Sequence, residues 1–310
     1  MPTISVIIPA YNAEYTIQET VKSVLQQSFS DFEIVIVDDG SSDRTLDIVR
    51  EIADSRLKYF SYANGGSAMA RNLGVSHATG EFIAFLDADD LWTSDKLELQ
   101  FEALQKHPEA GVAYSWTYFS YETEQRSYAD TSNCYEGDVY AELLIRNFLH
   151  NGSNPLIRKQ AIDTIGLFDT SIISCEDWDF YIRLASIYPF VLVRKPQVIY
   201  RQTPGTKSSK TNVVENSVLS VIKRAFKSAP PKYKHLESQS LAWGYKHLAR
   251  QHLKRQGDLN CLKLATGKIL KAVYVQPSIL LEDYTQGLIR HLIKQWILMC
   301  TSITFKTFRR

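Results

Sequence analysis

Two clusters of carboxylates each follow a strand-like apolar run. In "EIVIVDDGSSD" the first acids are Asp38 and Asp39, and in "EFIAFLDADDLW" they are Asp87, Asp89 and Asp90. Neighbouring carboxylates repel one another, so they are tolerated mainly where a cation or hydrogen-bond donors compensate them. Mg²⁺ and Mn²⁺ bind one or two carboxylates and complete their shells with water and phosphates. The clusters therefore favour a site for a divalent ion and a phosphorylated ligand.

Each cluster also has a purely structural interpretation. Asp89 and Asp90 are suitable turn residues, or caps for a helix that begins near Ser94. Asp-Gly and Ser-Ser-Asp are likewise ordinary turn and N-cap residues for a helix over 43–53. Neither cluster alone distinguishes the two interpretations.

The elements around these acids follow a repeating order. The strand-like runs "ISVIIP", "EIVIVDD", "LKYFSY" and "EFIAFLD" are separated by helix-like segments over 14–27, 43–53 and 67–78. This alternation predicts a mostly parallel sheet covered by helices. In such a sheet ligands bind outside the carboxyl ends of the strands, where both acidic clusters fall.

The rest of the chain has a different pattern. Residues 110–200 mix aromatic-rich runs such as "GVAYSWTYFSY" and "FVLVRKPQVIYR" with helical pieces, which predicts antiparallel strands in the same domain. After the loop-like "TPGTKSSK", residues from about 212 onward are typical of helices. We expect a sheet-containing domain over 1–210 and a helical region over 211–310.

Composition narrows the class of protein. The chain has 310 residues, 45% of them hydrophobic, and a net charge of +1, so as a whole it has no electrostatic preference for nucleic acid. Four scattered cysteines and no secretory signal predict a cytoplasmic protein with reduced thiols. There is no G-x-G-x-x-G after the first strand and no P-loop pattern, which argues against both phosphate-binding motifs. The sequon "NGS" at Asn151 is expected to be incidental.

Three segments of the chain contain four short motifs: "SVIIPAYNAEYTIQETVKSVLQQSFSDFEIVIVDDGSSDRT", "NGGSAMARNLGVSHATGEFIAFLDADD" with its D-x-D, and "CEDWDFYIRL". Taken in order, these motifs resemble those of the family 2 glycosyltransferases, which have the GT-A fold. The resemblance covers residues 3–210 and implies an inverting enzyme that uses a nucleotide-diphosphate sugar. It also implies a Rossmann-like α/β sheet flanked by helices, to which this chain adds an all-helical C-terminal extension.

The resemblance implies roles for individual residues in donor binding. Tyr11 would stack on the base with Pro9 and Ala10 beside it, and Asp39 would accept the base imide N–H. A carboxylate there suits uracil, the N–H edge of guanine could also use one, and adenine is a poorer match. Arg71 would approach the nucleotide as a fork of donors. The structural alternatives are a packed aromatic for Tyr11 and an exposed helix residue for Arg71.

The resemblance also implies the metal and the base. Asp89 would bind Mn²⁺ or Mg²⁺ directly, and Asp87 would contact the ribose and the surroundings of the metal. In the pair Glu176-Asp177, Asp177 would be the general base, although both acids also suit the first turn of a helix. Trp178 beside them would pack against either sugar or core.

One position departs from the family pattern. Many members have a His shortly after a "YR" pair, whereas this chain has Gln202 and Thr203 there, so the set of metal ligands is less complete. Lys207, Ser208, Ser209 and Lys210 would then contact the diphosphate from a closing loop, or form a solvated linker.

An apolar stripe in the last helix has a separate interpretation. Its members recur at helical spacing with basic residues around them: Leu288, Leu292, Trp296, Met299 and Ile303, with Arg290, Lys294, Lys306, Arg309 and Arg310. Such a stripe packs on its own domain, on a second subunit in a homodimer, or on an anionic membrane surface.

The sequence therefore predicts a metal-dependent inverting transferase that uses a UDP-sugar and a glycan or lipid-linked glycan acceptor. Bacterial surface polysaccharide biosynthesis, in the cytoplasm or on the inner face of the membrane, is the expected setting. The alternatives are a nucleotide-sugar-binding module without catalysis and a sugar-phosphate nucleotidyltransferase. The second usually has a basic, Gly-rich loop that "PAYNAEYT" lacks.

Overall fold

The computed structural model describes the backbone of residues 1–121, 126–202, 211–254 and 258–307. It describes the side chains of the same residues except 126, 211, 212 and 302–307. The chain divides into two compact units. The N-terminal unit comprises Met1–Leu143 and Asn147–Pro204, and the C-terminal unit comprises Leu144–Arg146 and Gly205–Arg310. The predicted domain boundary after residue 210 falls at the end of 203–210, outside the described residues, and stays a prediction.

Among the described residues of the N-terminal unit, nine strands form one mixed sheet. They are β1 Ile4–Ala10, β2 Phe32–Asp38, β3 Leu57–Ser61, β4 Phe82–Phe85, β5 Leu91–Trp92, β6 Val112–Tyr121, β7 Arg126–Asp130, β8 Leu156–Arg158 and β9 Phe190–Arg201. The order is β3-β2-β1-β4-β8-β6-β9-β5, with β7 paired to β6. Strands β3, β2, β1 and β4 are parallel, whereas β8 is antiparallel to both of its neighbours. The predicted fold class is confirmed.

Helices connect many of the strands, and all regular secondary structure described after residue 210 is helical. Along the chain they are α1 Ile17–Leu25, α2 Thr45–Arg50, α3 Ser67–His77, α4 Lys96–Lys106, α5 Tyr140–Ile145, α6 Lys159–Ile165, α7 Glu176–Ala185, α8 Thr211–Ser228, α9 Glu237–Leu253, α10 Leu259–Val275 and α11 Asp283–Thr307. Short 3-10 helices, Pro231–Leu236 and Pro277–Leu281, precede α9 and α11.

The central strands are buried along nearly their whole length. Every residue of β2 is buried, and in β1 only Pro9 is partly exposed. Helices α1 and α4 pack their apolar residues onto this sheet and complete its core. Burial on both faces is the reason that these strands consist of almost continuous apolar runs.

Helix α3 packs unusually close to β1. A Cβ placed on Gly74 would lie 2.2 Å from Cγ2 of Ile7, so only glycine permits this approach. Arg71 lies one turn before Gly74 in the same helix and is buried. The close contact therefore fixes the depth at which the Arg71 side chain enters the sheet edge.

The apolar stripe of α11 packs inside the C-terminal unit. Leu288 and Leu292 are buried in a cluster with residues of α9 and α10, and Trp296 and Met299 pack against it. This is the first of the three predicted alternatives: Leu288 and Leu292 are buried within their own unit, and Trp296 and Met299 are partly buried there. The side chain of Ile303 is outside the described residues. Among the described helices, none combines the length and hydropathy needed to cross a bilayer.

We predict opposite effects for alanine at two helical glycines. Gly74→Ala must displace Ile7 and will lower the free energy of unfolding by about 1–3 kcal/mol. Gly267→Ala, in α10, meets no atom within 4 Å and will raise it by up to about 1 kcal/mol through helix propensity. Urea unfolding of both variants measures the difference. Equal effects would contradict the close packing of α3.

Candidate active site

Residues after β1 and β2 meet at the carboxyl edge of the sheet. The backbone N–H of Asp39 donates to the carbonyl oxygen of Ala10 at 2.8 Å. Tyr11 follows directly and is 54% exposed, so its ring is available to a ligand, while Pro9 is partly buried. The predicted base-binding residues therefore lie together, with Tyr11 outermost.

Asp39 is buried and held by the loop before α3. Its Oδ1 accepts the N–H of Gly65 at 2.7 Å, and its Oδ2 accepts the N–H of Gly66 at 2.9 Å. Gly66 has φ +87°, a backbone conformation that favours glycine. Each carboxylate oxygen retains a second lone pair, so Asp39 can still accept a hydrogen bond from a ligand.

Arg71 links the end of β4 to the start of α7. Its Nη2 donates to Oδ1 of Asp87 at 2.5 Å, and its Nη1 donates to Oε1 of Glu176 at 2.8 Å. Ser67, one turn earlier in α3, donates to the same oxygen of Glu176. Burial acts to lower the pKa of Arg71, but the charges of Asp87 and Glu176 outweigh it and raise the pKa. Arg71 is thus a permanently charged bridge, not an exposed helix residue.

Asp177 lies in the first turn of α7, beside this bridge. Its Oδ1 accepts the N–H of Trp178 at 2.8 Å, and its Oδ2 accepts Nδ2 of Asn147 at 3.1 Å. Burial and the neighbouring charge of Glu176 raise the pKa of Asp177 to about 7, against the opposing effect of Arg71. A carboxylate with this pKa can take up a proton near neutral pH.

Trp178 is a core residue. Its side chain is 1% exposed, and its indole Nε1 donates to the carbonyl oxygen of Leu143 at 2.7 Å. Of the two alternatives predicted for Trp178, the structure supports packing in the core.

Asp89 of the D-x-D and the next residue, Asp90, differ in burial: Asp89 is partly exposed and Asp90 is buried. The N–H of Asp90 donates to the carbonyl oxygen of Asp87 at 3.0 Å, so the chain turns directly after β4. Burial and the charge of Asp87 raise the pKa of Asp89 to about 6. Asp90 is fully buried, and burial together with the charges of Asp89 and Asp87 raises its pKa well above the ordinary value. Helix α4 begins after Asp95, so neither Asp89 nor Asp90 caps it.

A segment that the sequence pattern missed, 151–154, supports these acids. The hydroxyl of Ser153 accepts the N–H of Asp87 at 3.0 Å and donates to Oδ2 of Asp90 at 2.5 Å. A Cβ on Gly152 would lie 2.7 Å from Nη2 of Arg71, so glycine gives the guanidinium its space. In the sequence this segment shows only the sequon, whose Asn151 is 3% exposed. No local signal relates it to acids more than 60 positions earlier.

Arg201 was also missed, because the sequence drew attention only to the positions after it. Its Nε donates to the carbonyl oxygen of Asp89, and its own N–H donates to Oδ1 of Asp90 at 3.2 Å. Its Nη1 donates to Glu19 at 2.7 Å. Arg201 therefore holds the backbone of the D-x-D turn. Gln202 follows it at the end of the described segment, and Thr203 and Lys207 to Lys210 lie outside the described residues.

Asp87 and Asp89 are the residues that the sequence predicts for a metal ion. Within the described ranges no group of three or more His, Cys, Asp or Glu side chains is arranged to hold one. A divalent ion at this position would therefore need oxygen ligands from outside these side chains.

The parallel half-sheet, the acidic turn after β4 and the acidic helix start at α7 together define a glycosyltransferase of the GT-A fold. A family model described as "Glycosyltransferase like family 2" matches residues 5–255. The chain belongs to the family 2 glycosyltransferases, as the four motifs predicted.

Curated relatives match part of this chain. WfgD of Escherichia coli, named as a UDP-Glc:alpha-D-GlcNAc-diphosphoundecaprenol beta-1,3-glucosyltransferase, is 46% identical over 106 residues, or 34% of this chain and 42% of that protein. TuaG of Bacillus subtilis, named as a putative teichuronic acid biosynthesis glycosyltransferase, is 45% identical over 122 residues, or 38% of this chain and 47% of that protein. The chain thus matches less than half the length of these two relatives.

Solved structures share the fold across nearly the whole chain. TarS 1–349 of S. aureus in complex with UDP-GlcNAc has a TM-score of 0.63 and 20% identity, with 98% of this chain and 92% of that chain covered. The mannosyltransferase PcManGT of Pyrobaculum calidifontis, solved with GDP-Man and Mn²⁺, has a TM-score of 0.60 and 21% identity, with 95% and 87% covered. At this identity the likeness establishes the fold.

Removal of Arg71 will destabilise the chain in a pH-dependent way. Arg71→Met leaves Asp87 and Glu176 uncompensated and will lower the free energy of unfolding by about 3–5 kcal/mol near neutral pH. The deficit will shrink at acidic pH, because loss of Arg71 raises the pKa of Asp177 further and the cost of ionising Asp177 disappears once it is protonated.

Urea unfolding of Arg71→Met across pH measures this loss. Arg50→Met is the matched control, because Arg50 and its partner Asp47 are 54% and 63% exposed, and it will cost at most about 1 kcal/mol. Equal losses in the two variants would contradict the bridging role of Arg71.

Proposed function

We propose that the protein is an inverting, metal-dependent transferase that moves a sugar from a UDP-sugar to a hydroxyl of a glycan or lipid-linked acceptor. The observation that carries this proposal is the connection between Asp177 and the D-x-D turn. Glu176, the neighbour of Asp177, shares Arg71 with Asp87. A carboxylate with pKa about 7 and two acids suited to a metal and a diphosphate therefore belong to one site.

Asp177 acts as the general base in this proposal. It takes the proton of the acceptor hydroxyl while that oxygen forms a bond to the anomeric carbon of the sugar. The bond from this carbon to the diphosphate oxygen breaks on the opposite face, which inverts the configuration. A general base with a pKa near the working pH is deprotonated in a substantial fraction of molecules. It also binds the transferred proton strongly enough to assist the reaction. Asn147 and the N–H of Trp178 orient the carboxylate through their hydrogen bonds.

The acids of the D-x-D turn fit a divalent metal ion. The raised pKa of Asp89, caused by burial and by Asp87, shows that its charge is only partly compensated. One oxygen of Asp87 is engaged by Arg71, so Asp89 would be the direct ligand and Asp87 would offer only its remaining oxygen. Water and diphosphate oxygens would supply the other ligands, as is usual for Mg²⁺ and Mn²⁺. When bound, the ion neutralises charge on the departing diphosphate.

Residues at the ends of β1 and β2 bind the nucleotide. The exposed ring of Tyr11 provides a stacking surface, and Asp39 has a free lone pair for the imide N–H of uracil. WfgD is named for a UDP-sugar, and the TarS structure contains UDP-GlcNAc, which supports uracil as the base.

The acceptor proposal rests on the relatives. WfgD is named for a diphosphoundecaprenol-linked acceptor, and TuaG is named for teichuronic acid biosynthesis. We infer by analogy that this chain builds a bacterial surface polysaccharide from the cytoplasmic side.

Asp177→Asn will abolish turnover and retain donor binding. Loss of the base should lower kcat by about 10²–10⁴-fold, while a UDP-sugar binds as before. In the unchanged protein kcat/KM will fall as the pH drops below about 7, because Asp177 must be deprotonated to act. Initial rates and calorimetric titration with UDP-GlcNAc measure the two quantities. A protein without turnover to lose would instead be a binding module.

Two controls separate catalysis from folding. Asp179→Asn lies in the same helix, removes the Asp179–Arg183 ion pair and will keep its turnover. The folded pKa of Asp177 lies above its unfolded value, so ionising it costs stability as pH rises from about 4 to about 7. Asp177→Asn will therefore be at least as stable as the unchanged protein at about pH 8. A destabilised variant would mean that the lost turnover reflects unfolding.

Asp89→Ala will remove metal-dependent nucleotide binding. Calorimetric titrations with UDP, GDP, dTDP and ADP, each with and without Mn²⁺, should show UDP binding that requires the metal and vanishes in this variant. The alanine keeps the backbone carbonyl that accepts from Arg201, so the turn is retained. Asp47→Ala, an exposed acid of α2, is the control and will bind as before. If no nucleotide binds under any condition, the transferase proposal is wrong.

A further inference from the structure

The near-neutral charge of the chain conceals an uneven distribution. Residues 211–310 contain 17 of the 35 Lys and Arg residues but five of the 34 Asp and Glu residues, which gives this region a net charge of +12. Residues 1–210 correspondingly carry −11. No acid occurs after Asp283. The C-terminal unit is therefore strongly basic.

Most of its few acids are used inside the unit. Glu215 pairs with Lys268 and Glu282 pairs with Lys246, and both lysines are buried. Asp258 caps α10 by accepting the N–H groups of two residues of that helix. The outer surface is left with a large excess of cations. The exposed ones are Lys223, Arg224, Lys227, Lys232, Lys234, Arg250, Lys254, Lys263, Lys271, Arg290 and Lys294.

Helix α11 exposes aliphatic side chains between these cations. Ile293, Ile297 and Leu298 are 52%, 58% and 52% exposed, and they lie on the side of the helix away from the packed stripe. Arg290 and Lys294 precede Ile297 at seven and three positions and so share its face. This face differs from the stripe that the sequence indicated.

Helix α10 repeats the arrangement. Leu270 is 65% exposed and Tyr274 is 86% exposed, and they are four positions apart on one face. Lys271 and Lys263 are exposed near them on the same helix. Exposed apolar side chains surrounded by cations are typical of a surface that binds a lipid bilayer. The cations contact anionic headgroups, and the apolar side chains contact the acyl chains beneath them.

We propose that the C-terminal unit binds peripherally to the surface of an anionic bilayer through the exposed faces of α10 and α11. Basic residues gain energy near anionic headgroups, and the aliphatic side chains and Tyr274 enter the interfacial layer. Pairing of this face with the same face of a second copy is less favourable, because two surfaces of the same strong charge repel each other. Nucleic acid would use the cations but leave the aliphatic side chains in water.

The binding itself does not depend on the proposed function, but its purpose does. If the acceptor is lipid-linked, a surface-bound enzyme meets it at high local concentration. Vesicle binding is measured without nucleotide or turnover, so failure of one proposal is distinguishable from failure of the other.

Vesicle flotation of the full chain tests the proposal. The protein should float with vesicles of equal parts phosphatidylglycerol and phosphatidylcholine, and remain at the bottom with phosphatidylcholine alone. Added salt should weaken the binding, because it screens exposed charges. Absence of flotation with the anionic vesicles would overturn the proposal.

Two double variants locate the contact on α11. Arg290→Gln with Lys294→Gln should weaken vesicle partition by roughly 30-fold, since each basic residue contributes a factor of about five. Ile293→Ser with Ile297→Ser should weaken it by at least several-fold. All four side chains are exposed, so both variants should keep the circular dichroism spectrum of the unchanged protein.

The matched control removes two cations from the other unit. Lys22→Gln with Lys106→Gln changes the total charge equally, at exposed positions of α1 and α4, and should float as before. Equal weakening in this control would show that net charge alone drives binding, and would overturn the assignment to α11. If the α11 variants instead convert a dimer to a monomer in analytical ultracentrifugation, the face is a subunit interface and the proposal is wrong.

Discussion

A single buried cation holds the candidate site together. Arg71 donates to Asp87 after β4 and to Glu176 at the start of α7, and its side chain is 5% exposed. Any one of these charges left alone in so dry an environment would be strongly unfavourable. The three elements are therefore restricted to one arrangement, which brings the acids proposed for the metal and the acid proposed as general base into one site.

The same arrangement gives neighbouring carboxylates different properties. Glu176 hydrogen-bonds to Arg71, whereas Asp177, the next residue, accepts from Asn147 and a backbone N–H. Burial and the charge of Glu176 raise the pKa of Asp177 to about 7. Two adjacent acids thus divide the work, because one compensates a cation and the other remains available to take up a proton.

The two units differ in what their charges do. In the N-terminal unit the critical charges are buried at the sheet edge and compensate one another. In the C-terminal unit Glu215 and Glu282 form ion pairs with buried lysines. Most of the other cations are exposed to solvent, together with aliphatic side chains. The total charge of +1 hides this contrast, which a separate count for residues 211–310 reveals.

The sequence by itself determined the alternation of strands and helices, the family, and the positions of Asp39, Asp87, Asp89 and Asp177, because these depend on local patterns and short motifs. Only the tertiary structure decided their environments. It joined Arg71 to Glu176 across 105 positions, and it placed Ser153 under acids 63 and 66 positions earlier. It also turned the stripe of α11 inward and left Ile297 outside. Burial and long-range contacts set these outcomes, and neither is encoded in any one segment of the chain.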